Sequence, residues 1–290
     1  MPHTIQSLLT QDRAALESAL SLDSGTARIE VQMLLQQVLG VNRAYLLAHP
    51  ERQLDEMQQA AYRALLQRRL AGEPLAYILG EREFFGLNFK VTPATLIPRP
   101  DTELLVELAL QRIPQSGRVL DLGTGSGAIA LSIARSRPDV DVTAVDASPE
   151  ALEVAQENAR RLGVGNARFV HSDWFAALEG ERYDLIVSNP PYIEDADAHL
   201  GQGDLRFEPR SALASGTDGL DDIRRIVADA KGHLNDGGWL MFEHGYDQAE
   251  RARELLEASG FADVFSARDL SGIERVSGGR YAGASTQAIR

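Results

Sequence analysis

Asp121-Leu122-Gly123-Thr124-Gly125-Ser126-Gly127 joins a predicted strand at residues 118–120 to a predicted helix at residues 128–136, an arrangement typical of α/β folds. Its glycines allow the backbone to turn sharply and to approach a ligand closely. The first amides of the following helix present unpaired donors and the positive end of the helix dipole. A loop in this position predicts a site for a nucleotide-like cofactor.

The loop by itself leaves two cofactor classes open. Gly123, Gly125 and Ala128 also fit the dinucleotide fingerprint, in which alanine can replace the third glycine. Asp146 follows the next predicted strand, about 20 residues later, where it can accept hydrogen bonds from the ribose hydroxyls of either cofactor. Asp121 favours a methionine-containing cofactor, since a carboxylate beside the loop repels phosphates and attracts an ammonium group. We predict S-adenosylmethionine, with S-adenosylhomocysteine as product, and a nicotinamide dinucleotide remains the alternative.

Strand-like and helical runs alternate beyond this loop, which predicts a doubly wound, mostly parallel sheet of the α/β class. The strand runs cover residues 118–120, 142–145, 167–171 and 183–187, and the helical runs cover residues 128–136 and 149–162. Later runs predict a helix at 220–234, a strand at 239–242, a helix at 248–259 and strands at 264–268 and 273–277. The small, polar tail at 278–290 is expected to be partly disordered.

Residues 5–79 differ, because their apolar side chains recur at three- and four-residue spacing. This spacing predicts a small helical bundle, with breaks at residues 23–25, 39–42 and 49–50 and with Thr26 capping the helix after the first break. Aromatic and β-branched residues around Gly86-Leu87-Asn88 then predict a hairpin of about residues 83–85 and 89–91. The expected domains are a helical domain at 1–80, a linking β-hairpin at 81–100 and an α/β domain at 101–290 that carries the glycine loop.

Asn189-Pro190-Pro191-Tyr192 ends a predicted strand, at the carboxyl edge of the sheet where open α/β folds bind ligands. Two consecutive prolines fix the backbone, so the carbonyls of Asn189 and Pro190 can point rigidly into a site. An amide side chain and a fixed carbonyl can accept two hydrogen bonds from one planar NH2 group, on which Tyr192 can stack. We predict Asn189, Pro190 and Tyr192 as catalytic residues, and these three together with Pro191 as substrate-binding residues.

Such a site suits methyl transfer to a planar amide or amine nitrogen. An amide nitrogen is a poor nucleophile, because its lone pair is delocalised into the carbonyl. Good alignment contributes on the order of 7 to 11 kcal/mol in intramolecular reactions, whereas two ordinary hydrogen bonds contribute a net of about 1 to 3 kcal/mol. Positioning is therefore expected to contribute more than binding.

Further polar residues follow other predicted strands. Ser172-Asp173-Trp174-Phe175 offers a carboxylate for an exocyclic amine and an aromatic face for adenine, although Trp174 is equally suited to the core. His171 and His244 are expected to be structural or solvated. The predicted cofactor-binding residues are Asp121, Gly123, Thr124, Gly125, Ser126, Gly127, Asp146, Asp173, Trp174 and Asn189.

A second polar group lies in the loop after Tyr192. Asp195, Asp197 and His199 resemble a metal-binding cluster, but their polar loop setting favours a flap over the substrate, so no metal is expected. Glu208 lies between Phe207 and Pro209, where a hydrogen bond inside the site and a surface position are equally plausible.

Composition limits the partners and the compartment. The net charge of −13 disfavours a broad phosphate-binding surface, so no direct contact with nucleic acid is expected. The absence of cysteine excludes disulfides, thiol nucleophiles and thiolate metal sites. No apolar run reaches about 18 residues and the start lacks a basic region followed by an apolar one. We expect no membrane association and a cytoplasmic location.

The motifs together resemble class I methyltransferases, and specifically the bacterial protein-(glutamine amide nitrogen) methyltransferases that modify peptide chain release factors. The resemblance covers nearly the whole chain. It rests on residues 121–127, Asp146, residues 189–192, and the runs at 96–103, 207–213 and 218–221. It implies a Rossmann-like fold, with the loop glycines on S-adenosylmethionine, Asp146 on its ribose and Trp174 beside its adenine.

For the substrate, the resemblance implies that Asn189, Pro190 and Tyr192 hold the glutamine of a Gly-Gly-Gln loop in a release factor, which the helical domain helps to dock. Two related activities remain alternatives: methylation of a ribosomal-protein glutamine, and methylation of an exocyclic amine in DNA or RNA. A nicotinamide oxidoreductase and a non-catalytic adenosine-ligand sensor are more distant alternatives, since a fold by itself does not establish activity.

Overall fold

A computed structural model describes residues 4–283, and the chain divides into two compact units. The helical unit comprises residues 1–80 together with 201–207. The sheet unit comprises residues 81–200 and 208–290. A short segment from the second half of the chain therefore packs with the first 80 residues, although no periodicity in the sequence indicates this.

The described part of the helical unit contains five α-helices, which confirms the predicted helical region. They are α1 (Ile5–Leu20), α2 (Ser24–Leu39), α3 (Arg43–Ala48), α4 (Glu56–Leu70) and α5 (Leu75–Leu79). Asp23 caps α2 by accepting hydrogen bonds from the amides of Gly25 and Thr26. The expectation that Thr26 caps this helix was wrong, because the extended residue at the cap position is Asp23 and its carboxylate takes both amides.

Apolar faces of these helices form the core of the helical unit. α1 and α2 pack against each other and against α4 through residues that include Leu16, Val31 and Leu35, all fully buried. The buried ion pair between Arg69 of α4 and Glu30 of α2 adds a polar contact within this packing.

The sheet unit begins with a hairpin of β1 (Glu81–Phe84) and β2 (Leu87–Lys90). Its two turn residues, Phe85 and Gly86, have positive φ angles of 51° and 73°. The hairpin lies within about two residues of the predicted one. Phe84 and Phe89 are buried in the main core, so the hairpin packs as part of the sheet unit.

Seven described strands form one sheet in the order β5-β4-β3-β6-β7-β9-β8. β9 pairs antiparallel with β7 and with β8, and the other pairs of neighbouring strands are parallel. The predicted doubly wound, mostly parallel sheet is confirmed. The strands are β3 (Arg118–Leu122), β4 (Asp141–Asp146), β5 (Ala167–His171), β6 (Tyr183–Ser188), β7 (Leu234–Glu243), β8 (Ala262–Arg268) and β9 (Glu274–Arg280). The helices are α6 (Glu103–Arg112), α7 (Ala128–Ser136), α8 (Pro149–Leu162), α9 (Asp221–Ala230) and α10 (Ala249–Ala258).

Alternate strand residues pack on opposite faces of this sheet. Val119 and Leu185 belong to the core under α6 and α7, whereas Leu120 and Ile186 belong to the core under α9 and α10. Both faces are therefore covered, as buried parallel strands require. The carboxyl ends of the parallel strands lie at one edge, where the loops after β3, β4, β5, β6 and β7 converge.

The expectation of a disordered tail was wrong for its first residues. β9 continues to Arg280, and Gly278 and Gly279 are buried. A Cβ atom on Gly278 would lie 2.7 Å from the Met241 side chain, so glycine permits this close strand contact. Residues 284–290 of the predicted tail lie outside the described residues.

Candidate cofactor and substrate site

A cavity of about 440 Å³ lies at the carboxyl edge of the sheet, within the sheet unit. Its volume falls in the range of about 300 to 1,000 Å³ that is typical of small-molecule sites. Nine of the predicted site residues line it, namely Gly123, Thr124, Gly125, Ser126, Asp146, Asp173, Trp174, Asn189 and Pro191. Four others, Asp121, Gly127, Pro190 and Tyr192, lie outside the set of described lining residues.

The glycine loop forms one wall of the cavity. Gly123, Gly125 and Gly127 have φ angles of 70°, 55° and 83°, a region that favours glycine. The Thr124 amide donates to the carbonyl of Val145 at 2.8 Å, which ties the loop to the end of β4. At Gly127 a Cβ atom would lie 3.0 Å from the Leu131 side chain, so this glycine serves the packing of α7.

Asp121 lies behind the loop and is fully buried. Its Oδ2 accepts hydrogen bonds from the Thr124 hydroxyl at 2.7 Å and from the Ala130 amide at 3.2 Å. Its Oδ1 has no hydrogen-bond partner among the described residues. Burial raises the pKa of this carboxyl group to about 7, against the lowering effect of the two hydrogen bonds. The side chain thus holds the loop and the start of α7 together.

Asp146 lines the cavity from the end of β4. Its Oδ2 accepts from the Gly125 amide at 2.8 Å, and its Oδ1 accepts from the Ser148 amide at 2.9 Å. Burial raises its pKa, while these amide hydrogen bonds lower it. Each carboxylate oxygen can accept more than one hydrogen bond, so both remain able to accept from a ligand hydroxyl.

Trp174 lines the cavity from the loop after β5. Its ring lies 3.4 Å from the position of a Cβ atom on Gly123, and its indole Nε1 donates to Asp222 Oδ1 at 3.2 Å. Asp222 in turn accepts from the Ser215 hydroxyl at 2.8 Å. The ring both lines the cavity and packs against the core, so neither of the two positions considered from the sequence describes it fully. Asp173 is exposed.

Asn189 and Tyr192 follow β6 and are held by residues that the sequence analysis missed. The Asn189 Nδ2 donates to Thr102 Oγ1 at 3.2 Å. The Tyr192 hydroxyl donates to Glu243 Oε1 at 3.1 Å. The Tyr192 carbonyl accepts from Gln248 Nε2 at 2.9 Å, so this residue is fixed at both its backbone and its side chain.

Glu243 ends β7 and is 2% exposed. Burial raises its pKa, while hydrogen bonds from the Thr102 and Tyr192 hydroxyls lower it. Its Oε2 has no hydrogen-bond partner among the described residues. One sequence signal could have identified it, since an acidic residue at the carboxyl end of a strand beside β6 must lie near Asn189.

A second buried carboxylate stabilises the approach to the cavity. The Glu208 side chain is fully buried, accepts from the Ile97 amide at 3.0 Å and forms an ion pair with Arg99, which lines the cavity. Of the two alternatives considered for Glu208, the structure therefore shows the internal hydrogen bond.

The remaining polar residues lie elsewhere. His171 Nε2 pairs with the Ala147 carbonyl, and the buried His244 pairs with the Ser277 hydroxyl. Asp197 and His199 contact each other at 2.7 Å in an exposed loop. Among residues 4–283, no group of three or more His, Asp or Glu side chains is placed to hold a metal ion. The same residues contain no helix that is long and apolar enough to cross a bilayer.

The sheet order, the glycine loop after β3 and the acid at the end of β4 define a class I methyltransferase. Residues 100–204 match a family model described as Methyltransferase small domain, and residues 7–80 match PrmC N-terminal domain. The release factor glutamine methyltransferase of Bordetella pertussis is 56% identical over 263 residues, covering 90% of this chain and 97% of the relative. That of Vibrio cholerae is 50% identical over 283 residues, covering 97% and 98%. The chain belongs to the release factor glutamine methyltransferase family.

A solved methyltransferase from Pyrococcus furiosus has a TM-score of 0.53 at 21% identity, covering 75% of this chain and 97% of that one. At this identity the similarity concerns the fold alone.

Proposed function

We propose that this protein transfers a methyl group from S-adenosylmethionine to the side-chain amide nitrogen of a glutamine in peptide chain release factors, within their Gly-Gly-Gln motif. The observation that carries the proposal is the position of Asn189 and Pro191 in the wall of the same cavity that the glycine loop lines. The names of relatives at 50–56% identity support the release factor as the substrate.

The residues around the cavity fit the cofactor. Asp146 offers two carboxylate oxygens to the ribose diol, and the Trp174 ring offers a flat apolar face to adenine. Asp173 offers a carboxylate for the exocyclic amine. A Cβ atom on Gly125 would meet no described atom within 4 Å, so the backbone is open toward a ligand there. When bound, S-adenosylmethionine supplies an electrophilic methyl group on a sulfonium.

Asn189 is assigned the orientation of the acceptor. Its side chain is a neutral amide, which cannot act as a base at ordinary pH, so its contribution is geometric. Its oxygen and a carbonyl of the adjacent proline-fixed backbone can each accept one hydrogen bond from the two N–H groups of the glutamine amide. These two hydrogen bonds hold the plane of the glutamine amide at a fixed angle and present its nitrogen to the methyl group. Alignment of this kind contributes several kcal/mol.

The helical unit is assigned to docking of the release factor. Its residues 1–80 contain seven Lys and Arg and eight Asp and Glu, so it lacks the strong positive charge that binding to a nucleic-acid backbone requires. A nearly neutral net charge on the helical unit is better suited to binding a protein than to binding a nucleic acid. The alternative methyl acceptors that an experiment must exclude are a glutamine of a ribosomal protein and an exocyclic amine of RNA.

The test is incubation with methyl-labelled S-adenosylmethionine and, in separate reactions, a release factor, a ribosomal-protein fraction or RNA. Mass spectrometry of the products is expected to place one methyl group on the glutamine of the Gly-Gly-Gln motif. Replacement of that glutamine by asparagine in the release factor is the substrate control. Label in RNA or in a ribosomal protein, without label in the release factor, overturns the proposal.

A matched variant tests the assigned residue. Asn189→Ala is expected to reduce kcat at least 100-fold, because the acceptor amide is no longer held in orientation. The Kd for S-adenosylmethionine should change less than threefold, because the glycine loop, Asp146 and Trp174 are unchanged. The control is Asn235→Ala, which removes an asparagine near the start of β7, outside the residues that line the cavity. Unchanged turnover in Asn189→Ala contradicts the role of Asn189.

A further inference from the structure

Asp222 bonds to two parts of the sheet unit that are far apart in the sequence. Its Oδ1 accepts from the indole Nε1 of Trp174 at 3.2 Å, and its Oδ2 accepts from the Ser215 hydroxyl at 2.8 Å. The Asp222 amide donates back to the Ser215 Oγ at 2.9 Å. One side chain in the first turn of α9 therefore contacts both the loop after β5 and the segment that precedes α9.

The backbone of Trp174 has a conformation that needs support. Its φ angle is 49°, in the left-handed region that residues other than glycine seldom occupy. Such a conformation persists only where the surrounding contacts hold it. The Ser172 hydroxyl donates to the Trp174 carbonyl at 2.8 Å and fixes the backbone. The bond to Asp222 holds the far end of the side chain, so the plane of the ring depends on Asp222.

Ser215 belongs to the segment that supports residues 189–193, here called the acceptor loop. The Ser215 amide donates to the Ile193 carbonyl at 2.8 Å, and the amides of Ile193 and Tyr192 donate to the Leu213 carbonyl at 2.9 Å and 3.2 Å. Ser215 is 3% exposed and lies outside the set of described residues that line the cavity. Its hydroxyl can therefore affect a bound cofactor only through the residues that it contacts.

We propose that Asp222 is a positioning residue that holds the Trp174 ring in the cofactor wall and ties it to the support of the acceptor loop. The use of the acceptor loop rests on the proposed function, whereas the effect on the cofactor wall does not. Trp174 and Ser215 each donate to a different oxygen of Asp222. An amide side chain has a single acceptor oxygen, so an asparagine at this position can keep one of the two bonds but not both.

A helix-capping role is the alternative explanation of the same contacts. The Ser215 Oγ accepts from the Asp222 amide, which is one of the free N–H groups in the first turn of α9. If Ser215 only caps the helix, loss of its hydroxyl lowers the stability of α9, and any effect on the cofactor is independent of the Trp174 indole N–H. The two roles therefore differ in whether Ser215 and Trp174 act together.

A double-mutant cycle separates the two roles. Ser215→Ala is expected to raise the Kd for S-adenosylmethionine about three- to tenfold, the range that loss of one ordinary hydrogen bond gives. Trp174→Phe keeps a flat ring and removes the N–H donor, so the addition of Ser215→Ala to it should change the Kd less than 1.5-fold. Calorimetric titration measures all four proteins. Equal effects of Ser215→Ala in both backgrounds contradict the positioning role.

The matched control for Ser215→Ala is Ser136→Ala, at an exposed position of α7. It makes the same chemical change far from Asp222 in the sequence, and it should bind S-adenosylmethionine as the wild type does. A rise in Kd for Ser136→Ala equal to that for Ser215→Ala overturns the assignment of the effect to the contact with Asp222.

Fluorescence reports on Trp174 directly. The chain contains two tryptophans, so Trp239→Phe leaves Trp174 as the one indole emitter. In this background, Ser215→Ala and Asp222→Asn are each expected to raise the acrylamide quenching constant at least 1.5-fold, because the ring is held less firmly. Circular dichroism identifies a variant that fails to fold, in which case the other variant decides. Unchanged quenching in a folded variant contradicts the positioning role.

The acceptor side is tested with the release factor. Ser215→Ala is expected to raise the KM for the release factor at least threefold, because the support of the acceptor loop is loosened. An unchanged KM overturns the link to that loop. A wild-type protein that methylates no release factor contradicts the proposed function, and the cofactor cycle still tests Asp222. An active wild type with additive effects of Ser215→Ala and Trp174→Phe on the Kd contradicts only the role of Asp222.

Discussion

The hydroxyl of Tyr192 donates a hydrogen bond to Oε1 of Glu243 at 3.1 Å, and this bond joins the loop after β6 to the end of β7. Burial and the neighbouring Glu243 carboxyl group raise the pKa of Tyr192 well above its ordinary value, so the hydroxyl remains protonated. Tyr192 therefore holds its loop in place and is not a candidate base. Together with the bond from Gln248 to the Tyr192 carbonyl, this contact fixes the backbone between Asn189 and Ile193.

Tyr192→Phe should destabilise the protein by about 1 to 3 kcal/mol, because it removes a donor from the buried carboxylate of Glu243. Urea unfolding measures this loss, and kcat is expected to fall along with it. Tyr246→Phe, at a tyrosine that is 71% exposed, provides the control and should leave both quantities unchanged. Equal stability of Tyr192→Phe and wild type would show that this hydrogen bond contributes little.

Asp146→Ala should weaken the binding of S-adenosylmethionine about 100-fold. Each charge-assisted hydrogen bond contributes roughly 1.5 to 3 kcal/mol, and a tenfold change in Kd corresponds to about 1.4 kcal/mol. Calorimetric titration measures the Kd. Asp141→Asn, at the exposed first residue of the same strand, is the control. A Kd within threefold of wild type in Asp146→Ala would place the ribose elsewhere.

The pKa of Asp121 predicts a pH dependence of stability. Its pKa is about 7 in the folded protein, above the ordinary value of 3.8, so the folded state binds the proton more tightly. The resulting stabilisation is complete below about pH 4 and is lost as the pH rises to about 7. The total change is on the order of 4 kcal/mol, at about 1.4 kcal/mol per pH unit.

Asp121→Asn removes this titration. Its unfolding free energy, relative to that of the wild type, should therefore improve steadily between pH 4 and pH 7 and then level off. Urea unfolding at each pH unit measures the difference, and the exposed Asp229→Asn variant should show no such trend. A constant difference across this range would mean that Asp121 titrates at its ordinary pKa.

The parts of the site that follow strands were predictable from the sequence. The glycine loop after β3, Asp146 after β4 and Asn189 after β6 all end parallel strands, and such ends converge at one edge of the sheet. The alternation of strand and helix patterns in the sequence is therefore enough to predict that these residues lie near one another. Nine of the predicted residues accordingly line one cavity.

Side-chain direction could not be predicted in the same way. Asp121 and Tyr192 belong to the quoted motifs, yet both side chains turn away from the cavity toward buried partners. Thr102 and Glu243 contact the motif from positions 87 residues before and 51 residues after it, and no local pattern records such pairings. The packing of residues 201–207 with the helical unit likewise depends on individual side chains, Asp204 and Arg206 among them.

Gly219→Ala should reduce both stability and kcat. Gly219 has a φ of +72°, and a Cβ atom there would lie 2.3 Å from the Tyr192 carbonyl oxygen and 2.7 Å from Gln248 Nε2. The substitution must therefore displace the backbone of Tyr192, with a loss of about 1 to 3 kcal/mol from strain and a broken hydrogen bond.

The control for this substitution is Gly165→Ala, because a Cβ atom at Gly165 would meet no described atom within 4 Å. Its unfolding free energy should stay within about 0.5 kcal/mol of the wild type, as is usual for surface substitutions. Initial rates and urea unfolding compare the two variants. If Gly219→Ala keeps wild-type kcat, the loop tolerates a displaced Tyr192 carbonyl.

Arg69→Ala should destabilise the helical unit by about 3 to 5 kcal/mol, because it leaves the buried Glu30 carboxylate without its partner. The Arg69 guanidinium bonds to both Glu30 oxygens, at 2.8 Å and 3.1 Å, and its side chain is only 5% exposed. It also donates to the Glu73 carbonyl and to Asp204, at 3.0 Å and 3.2 Å.

Asp204→Ala removes only the outer member of this group. The Asp204 side chain is 44% exposed, so its ion pair is screened by water and its loss should cost less than about 1 kcal/mol. Urea unfolding, followed by the circular dichroism of the helices, compares the free energies of unfolding of the two variants. A loss in Asp204→Ala as large as that in Arg69→Ala would mean that the segment at 201–207, rather than the buried Arg69–Glu30 pair, stabilises the packing of α2 against α4.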